Sequence, residues 1–257
     1  MSVLTIVLMC AAISFSPLTA AQTATSLNYA ATEMAAARAA MKKGAGGHTN
    51  YFVQGDRFEY RSNDGDPAVF WDGQAWIGKD LHKLWLKTEG EFATRDGQFD
   101  DAEVQALYSY AIAPFWDAQI GVRHDIKRDP SRTYATISLQ GIAPYWFELD
   151  SALFISSKAD VSVRIEAEYD LRITQRLLLQ PRVELNISFS NDKEIGVGSG
   201  FGSGLAGLRL RYEISRQFAP YVGLSWQRDV GRTADFTRRA NDDVDQLSLV
   251  AGIRFWF

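Results

Sequence analysis

An all-β fold, a transmembrane antiparallel β-barrel of about twelve strands, is what this sequence predicts. Three observations carry it. From residue 51 to the end, apolar and polar residues alternate with period two, the mark of strands with two unlike faces. Most alternating segments span 11–15 residues, well above the usual mode of about 5–6 and enough for a tilted crossing of a bilayer, which takes about 9–11. The connections also come in two kinds, tight turns and longer charged loops. A soluble β-sandwich alternates too, but its strands are shorter and its polar faces less densely charged.

Residues 1–21 read as a secretory signal peptide. The stretch LTIVLMCAAISF at 4–15 is apolar, and Thr19-Ala20-Ala21 offers a small-x-small cleavage site, although no Lys or Arg precedes them. Cys10, the only cysteine, lies inside this segment, so the mature chain would hold no disulfide, thiolate metal site or cysteine nucleophile. Residues 22–50 read as a flexible, Ala/Gly-rich periplasmic segment, partly helical or disordered. Ala30 to Lys43 has helix-forming composition and is ended by Gly44-Ala45-Gly46-Gly47. Met34 and Met41, seven apart, would share one face, and His48 follows.

Residues 51–257 form the barrel. Its strands fall at 51–61, 68–79, 82–95, 101–112, 115–126, 132–142, 145–156, 160–173, 176–190, 203–216, 219–230 and 244–257. Alternation is clearest from Asp160 to Thr174. There Val161, Val163, Ile165, Ala167, Tyr169, Leu171 and Ile173 oppose Ser162, Arg164, Glu166, Glu168, Asp170 and Arg172. The last strand sets Leu247, Leu249, Ala251, Ile253, Phe255 and Phe257 on one face. Tight turns are expected at Ala113-Pro114, Ala143-Pro144, Thr174-Gln175 and Ala219-Pro220. Long loops are expected at Lys127–Arg132, Asn191–Gly202 and Asp229–Asp243. No helical period of comparable length follows residue 50. Aromatics beside the Ala-Pro turns suit an interfacial girdle, and closure of the sheet satisfies its edge hydrogen bonds.

Composition sets outer bounds. With 46% hydrophobic and 23% charged residues and a mean hydropathy of −0.17, the chain is too apolar for a disordered polyelectrolyte. After residue 33 the longest run without charge is Thr133 to Phe147, 15 residues, short of the ~20 of a spanning helix. Net charge is −4, from 27 basic and 31 acidic residues, which gives no support for a nucleic-acid partner.

The charged half of each strand would face inward. Carboxylates spaced by two recur at Glu89/Glu91, Glu148/Asp150 and Glu166/Glu168/Asp170, with arginines on the same faces. Two arrangements follow: a web of ion pairs filling the lumen, or a field that draws cations through it. A GxGxxG match at Gly202–Gly207 lacks the helix that a dinucleotide site needs, and the Gly196–Gly204 run reads as a loop. His82 and His124 are the only histidines of the barrel. With no partner in sight for His124 on the outward face, catalysis is not expected.

The segments Gly55–Tyr60, Trp71–Gln74, Leu84–Glu91, Ala143–Glu148, Glu166–Leu171, Thr174–Arg176, Leu179–Arg182, Leu208–Ile214 and Phe218–Tyr221 together resemble the copper resistance protein B family, over roughly residues 51–257. Phe255-Trp256-Phe257 likewise resembles the terminal signature of outer-membrane barrels. The resemblance implies a monomeric barrel in outer-membrane lipid, with both termini periplasmic and no nucleic-acid partner. It would bind copper or let it cross passively, alongside periplasmic copper-binding proteins. Many members carry a Met- and His-rich region before the barrel; here Met34, Met41 and His48 remain as its counterpart, suited to copper by thioether and imidazole chemistry. The lumenal candidates for a cation path are Glu89, Glu91, Glu148, Asp150, Glu166, Glu168 and Asp170. Two other readings stay open: a channel for an acidic small solute or oligosaccharide along Arg164, Arg172, Arg182, Arg209, Arg211 and Arg254, and a structural anchor with a plugged lumen.

Overall fold

The alternating segments become thirteen β-segments in a computed structural model that describes residues 31–45, 48–63, 67–95, 97–126, 131–240 and 242–257. The expected signal peptide lies outside the described residues. Residues 31–45 belong to a unit of their own, the helix α1 (Ala31–Ala45), on which Met34 and Met41 are exposed.

The second unit is the barrel. Its wall runs β1 (Asn50–Asn63), β2 (Ala68–Gly78), β3 (His82–Ala93), β4 (Gln98–Ala113), β5 (Trp116–Asp125), β6 (Arg132–Ala143), β7 (Phe147–Ser156) and β8 (Val161–Glu168). It continues through β9 (Leu171–Arg172), β10 (Leu177–Ser188), β11 (Gly200–Tyr212), β12 (Phe218–Asp229) and β13 (Asp245–Trp256). Every neighbour is antiparallel, and β1 pairs with β13, so the sheet closes and no edge is left. Because β8 and β9 both pair with β10, they are one strand interrupted at Tyr169-Asp170. The wall therefore has the twelve positions that the alternation predicts.

The barrel is inverted relative to a soluble protein. Leu84, Leu86, Ile120, Val122, Ile137, Leu208, Val222, Leu247 and Leu249 are exposed on the outside. Arg57, Glu59, Arg61, Glu103, Arg123, Asp125, Arg182 and Arg209 are buried on the inside. Such sorting matches lipid around the wall and polar contents within. Phe115, Tyr145 and Trp146 are exposed at the short-turn end, where the girdle is expected. Gly121 lies where two strands pass closely: a Cβ there would sit 2.0 Å from the carbonyl oxygen of Ala106.

Several local expectations are corrected. Ala219-Pro220 lies inside β12, and the chain reverses instead around the Ser215–Phe218 bridge. Pro220 is tolerated there because it is the third residue of the strand, close to its end. The 229–243 loop contains a helix, α2 (Gly231–Ala240), with Ala234 buried; its ten residues carry too few apolar positions to stand out as a period. The glycine run is only partly a loop, since Gly200, Gly202 and Gly204 open β11. Gly196 and Gly200 hold φ of 70° and 107°, a region open to glycine at no steric cost. His124 does have a neighbour, the Thr133 hydroxyl, 2.9 Å from Nδ1 on the outer wall.

Candidate functional site in the lumen

Strict alternation breaks once in β1, and the break shapes the interior. A bulge between Gly55 and Arg57 shifts the register toward β2, and a second irregularity follows toward β13. A bulge leaves one residue outside the ladder and re-aims its side chain. Asp56 and Arg57, adjacent in sequence, consequently both face the lumen: Asp56 meets Arg254 at 2.9 Å and Arg182 at 3.4 Å, and Arg57 meets Asp72 at 2.8 Å. Beyond the bulge, Glu59 and Arg61 resume inward positions between outward Phe58 and Tyr60.

On the β1, β2, β11 and β12 side the interior is filled. Glu59 accepts from Arg209 Nε (3.0 Å) and Nη2 (2.9 Å), from Arg61 Nε (2.9 Å) and from the Tyr221 hydroxyl (3.0 Å). The Arg61 and Arg57 guanidiniums lie 3.7 and 4.5 Å from the centre of the Phe70 ring. Burying charge here is tolerable because each ion is paired and the Glu59 carboxylate accepts four hydrogen bonds.

The opposite side is held by pairs that cross the lumen. Arg164 on β8 reaches Glu103 on β4 at 3.1 Å, Glu89 on β3 at 3.4 Å and Glu184 on β10 at 3.7 Å. Lys87 on β3 reaches Asp150 on β7 at 2.5 Å. Arg182 on β10 gathers Glu166, Glu168 (3.5 Å), Asp56 and Asp72 (3.6 Å). Lys87 and Arg182 answer a register problem at Asp150 and Glu166, and Arg182 answers it from one side at Glu168. Glu148 stands directly opposite Glu168, and Asp150 opposite Glu166, pairings that repel unless a cation intervenes.

Within this frame lies a cavity of about 300 Å³. Asp56, Asp72, Glu89, Glu103, Glu148, Asp150, Glu166 and Glu168 line it against Lys87, Arg164 and Arg182; with Arg57, Arg123 and Arg254 bonded from behind to Asp72, Glu103 and Asp56, the formal excess is two negative charges. Of the seven carboxylates predicted for the cation path, five share this cavity. Glu91 lies apart, tied to Arg61 at 3.0 Å and to Asn63. Asp170 lies nearer the short-turn end, bonded to Arg211 and 3.9 Å from Arg254. Glu148 is the exception among the five: no ion pair within 4 Å engages it among the described residues. Asp56, Asp72 and Glu103 were missed by periodicity. The Gly55-Asp56 bulge signal and the Glu59/Arg61 alternation with aromatics could have found the β1 set.

Four aromatics also face inward near the short-turn end, a feature the sequence did not announce. Trp256, Phe52, Trp76 and Trp85 follow one another across β13, β1, β2 and β3 with ring centres 5.9–6.2 Å apart. Of the other residues tied to copper chemistry, His48 is exposed ahead of β1. Among the described residues, no group of three or more His, Cys, Asp or Glu side chains is arranged to hold a metal ion.

A family profile described as "Copper resistance protein B precursor" matches residues 49–257. The "Copper resistance protein B homolog" of Pseudomonas syringae pv. tomato is 43% identical over 208 residues, covering 81% of this chain and 70% of that protein. The "Copper resistance protein B" of Escherichia coli is 40% identical over the same shares. Among solved structures, the NanC porin aligns over 80% of this chain and 99% of its own, with a TM-score of 0.51 and 16% identity. That likeness concerns the fold alone.

Proposed function

The chain belongs to the copper resistance protein B family, and on that premise we propose that its barrel gives copper ions a passive path across the outer membrane. One observation carries this reading: eight carboxylates line the central cavity, two more than the cations that line it or bond them from behind. In a low-dielectric wall such an excess attracts cations and repels anions. Carboxylates are hard, exchangeable ligands, suited to passing an ion rather than keeping it. The path runs through Glu89, Glu148, Asp150, Glu166 and Glu168, with Glu91 and Asp170 flanking it. Glu148 is the open contact, because the others already hold a guanidinium or ammonium.

Met34, Met41 and His48 supply thioether and imidazole contacts that collect copper ahead of the barrel. In this orientation the short turns and both termini face the periplasm, where copper-binding proteins exchange ions with a monomeric barrel. No catalytic step is assigned. The acidic-solute reading loses its basic track, since Arg209 is locked to Glu59 and Arg211 to Asp170.

The test is copper flux into liposomes holding the purified protein. Flux should fall when Glu166→Gln, Glu168→Gln and Asp170→Asn are combined; unchanged flux in a folded triple variant sinks the path. Copper content measured with and without residues 22–50 tests the Met34, Met41 and His48 contribution.

A further inference from the structure

Two of the cavities in the lumen share only two wall residues. The cavity toward the long loops, about 470 Å³, is bounded by Arg123, Tyr134, Asp160, Asn186, Asp192 and residues of α2. Phe154 and Arg164 line both this cavity and the acidic one of about 300 Å³. These two side chains stand at the boundary between the two. The far side offers no detour, since Glu59, Arg209, Tyr221, Arg61 and Phe70 fill it and are all buried.

The members of this partition are not equally fixed. Arg123 is pinned by Glu103 at 2.6 Å and Asp125 at 2.7 Å, with its guanidinium 4.7 Å from the centre of the Phe154 ring. Arg123 and Glu103 are 8% and 7% exposed. Arg164 is 20% exposed, and its carboxylate contacts run from 3.1 to 3.7 Å. Of the two arginines at this boundary it is the more exposed, and its carboxylate contacts are the longer. A long, flexible side chain in that position can leave its partners without any movement of the wall.

We propose that Arg164 is the latch of the lumen: its guanidinium, held by Glu103 and Glu89, closes the passage between the two cavities, and its release joins them. The proposal rests on the reading of the lumen as an ion path. It adds that the resting barrel is nearly shut and that one cation on β8 sets both its conductance and its selectivity. With Arg164 withdrawn, Glu89, Glu103 and Glu184 face the opening without their shared counter-charge, so the freed passage favours cations.

The experiment is single-channel recording in KCl with the full chain in planar bilayers, comparing wild type with Arg164→Ala and Phe154→Ala. Folding is checked by heat-dependent migration in detergent gels, and Arg164→Gln replaces the alanine variant if that one fails to fold. Arg164→Ala should raise conductance severalfold and shift the reversal potential toward cation selectivity. Phe154→Ala should raise conductance with a smaller shift in selectivity. Wild-type currents that both variants leave unchanged overturn the latch while leaving the ion path standing. Silence from all three proteins, together with no copper flux, overturns both.

Discussion

Replacing Glu59 by alanine tests whether the filled half of the lumen is held by charge. Four donors converge on this carboxylate: two from Arg209 at 2.9–3.0 Å, one from Arg61 at 2.9 Å and one from Tyr221 at 3.0 Å. Each bond to a charged group contributes about 1.5–3 kcal/mol, but much of that offsets the cost of taking the ions out of water. What the substitution exposes is the remainder. Arg61 keeps Glu91 at 3.0 Å, whereas Arg209, 2% exposed, is left without a carboxylate. Orphaning one member of a buried pair costs about 3–5 kcal/mol, and that loss is expected for Glu59→Ala. The assay is reversible urea unfolding in phospholipid vesicles, followed by tryptophan fluorescence. Arg209→Met alone should cost a similar amount. The double variant Glu59→Ala/Arg209→Met should cost about 2–3 kcal/mol less than the sum of the two. A cost below about 1 kcal/mol for Glu59→Ala, or additive single effects, refutes the reasoning.

Other outcomes follow from the same structure. Ile137, exposed in the middle of β6 on the outer wall, should not tolerate charge: Ile137→Arg is expected to cost about 2–4 kcal/mol in vesicles, measured by the same unfolding. Glu148→Gln should change stability by no more than about 0.5 kcal/mol, as it breaks no ion pair, yet lower copper flux measurably in liposomes. Gly121→Ala should destabilise by about 1–3 kcal/mol through backbone displacement, read as a lowered urea midpoint. At the long-loop end, the hydrogen bond and charge of Lys158 hold the Glu194 carboxyl below its ordinary value, with Arg132 adding a smaller share. A depressed carboxylate stabilises above its unfolded value and loses that contribution as pH falls through its folded value. Protease nicking of the 189–199 loop should therefore rise below about pH 4.3 and less so in high salt, where exposed pairs are already screened.

The strand count, the closed sheet and the two unlike faces were legible because each depends on local alternation, which the sequence displays residue by residue. The carboxylates of β3, β7 and β8 were legible for the same reason. Asp56, Arg57 and Glu59 were not, because a bulge is a one-residue irregularity and period counting averages over it. The partners were also hidden: Arg164 and Glu103 lie 61 residues apart, and only closure of the barrel brings β8 opposite β4. The inward arc of Phe52, Trp76, Trp85 and Trp256 was obscured because an aromatic residue looks the same in a pattern whether it faces lipid or lumen. The helix α2 escaped because a short loop helix leans on its neighbours rather than on its own period. Gly198 donates to Thr233 Oγ1 at 3.0 Å, and the Thr237 hydroxyl donates to Asp229 at 2.6 Å.

The β1 bulge has a further consequence for how such a barrel can vary. In a regular strand, removing one residue turns over every side chain beyond it, sending charges into lipid and leucines into water. Asp56 is exempt. Without it, Gln54, Gly55 and Arg57 would resume plain alternation, and Arg57, Glu59 and Arg61 would keep their inward aim. A single-residue deletion at this point would remove one negative charge from the lumen, release Arg254 and Arg182 from it and leave the outer wall as it was. The bulge thus uncouples what the barrel contains from how it meets the membrane.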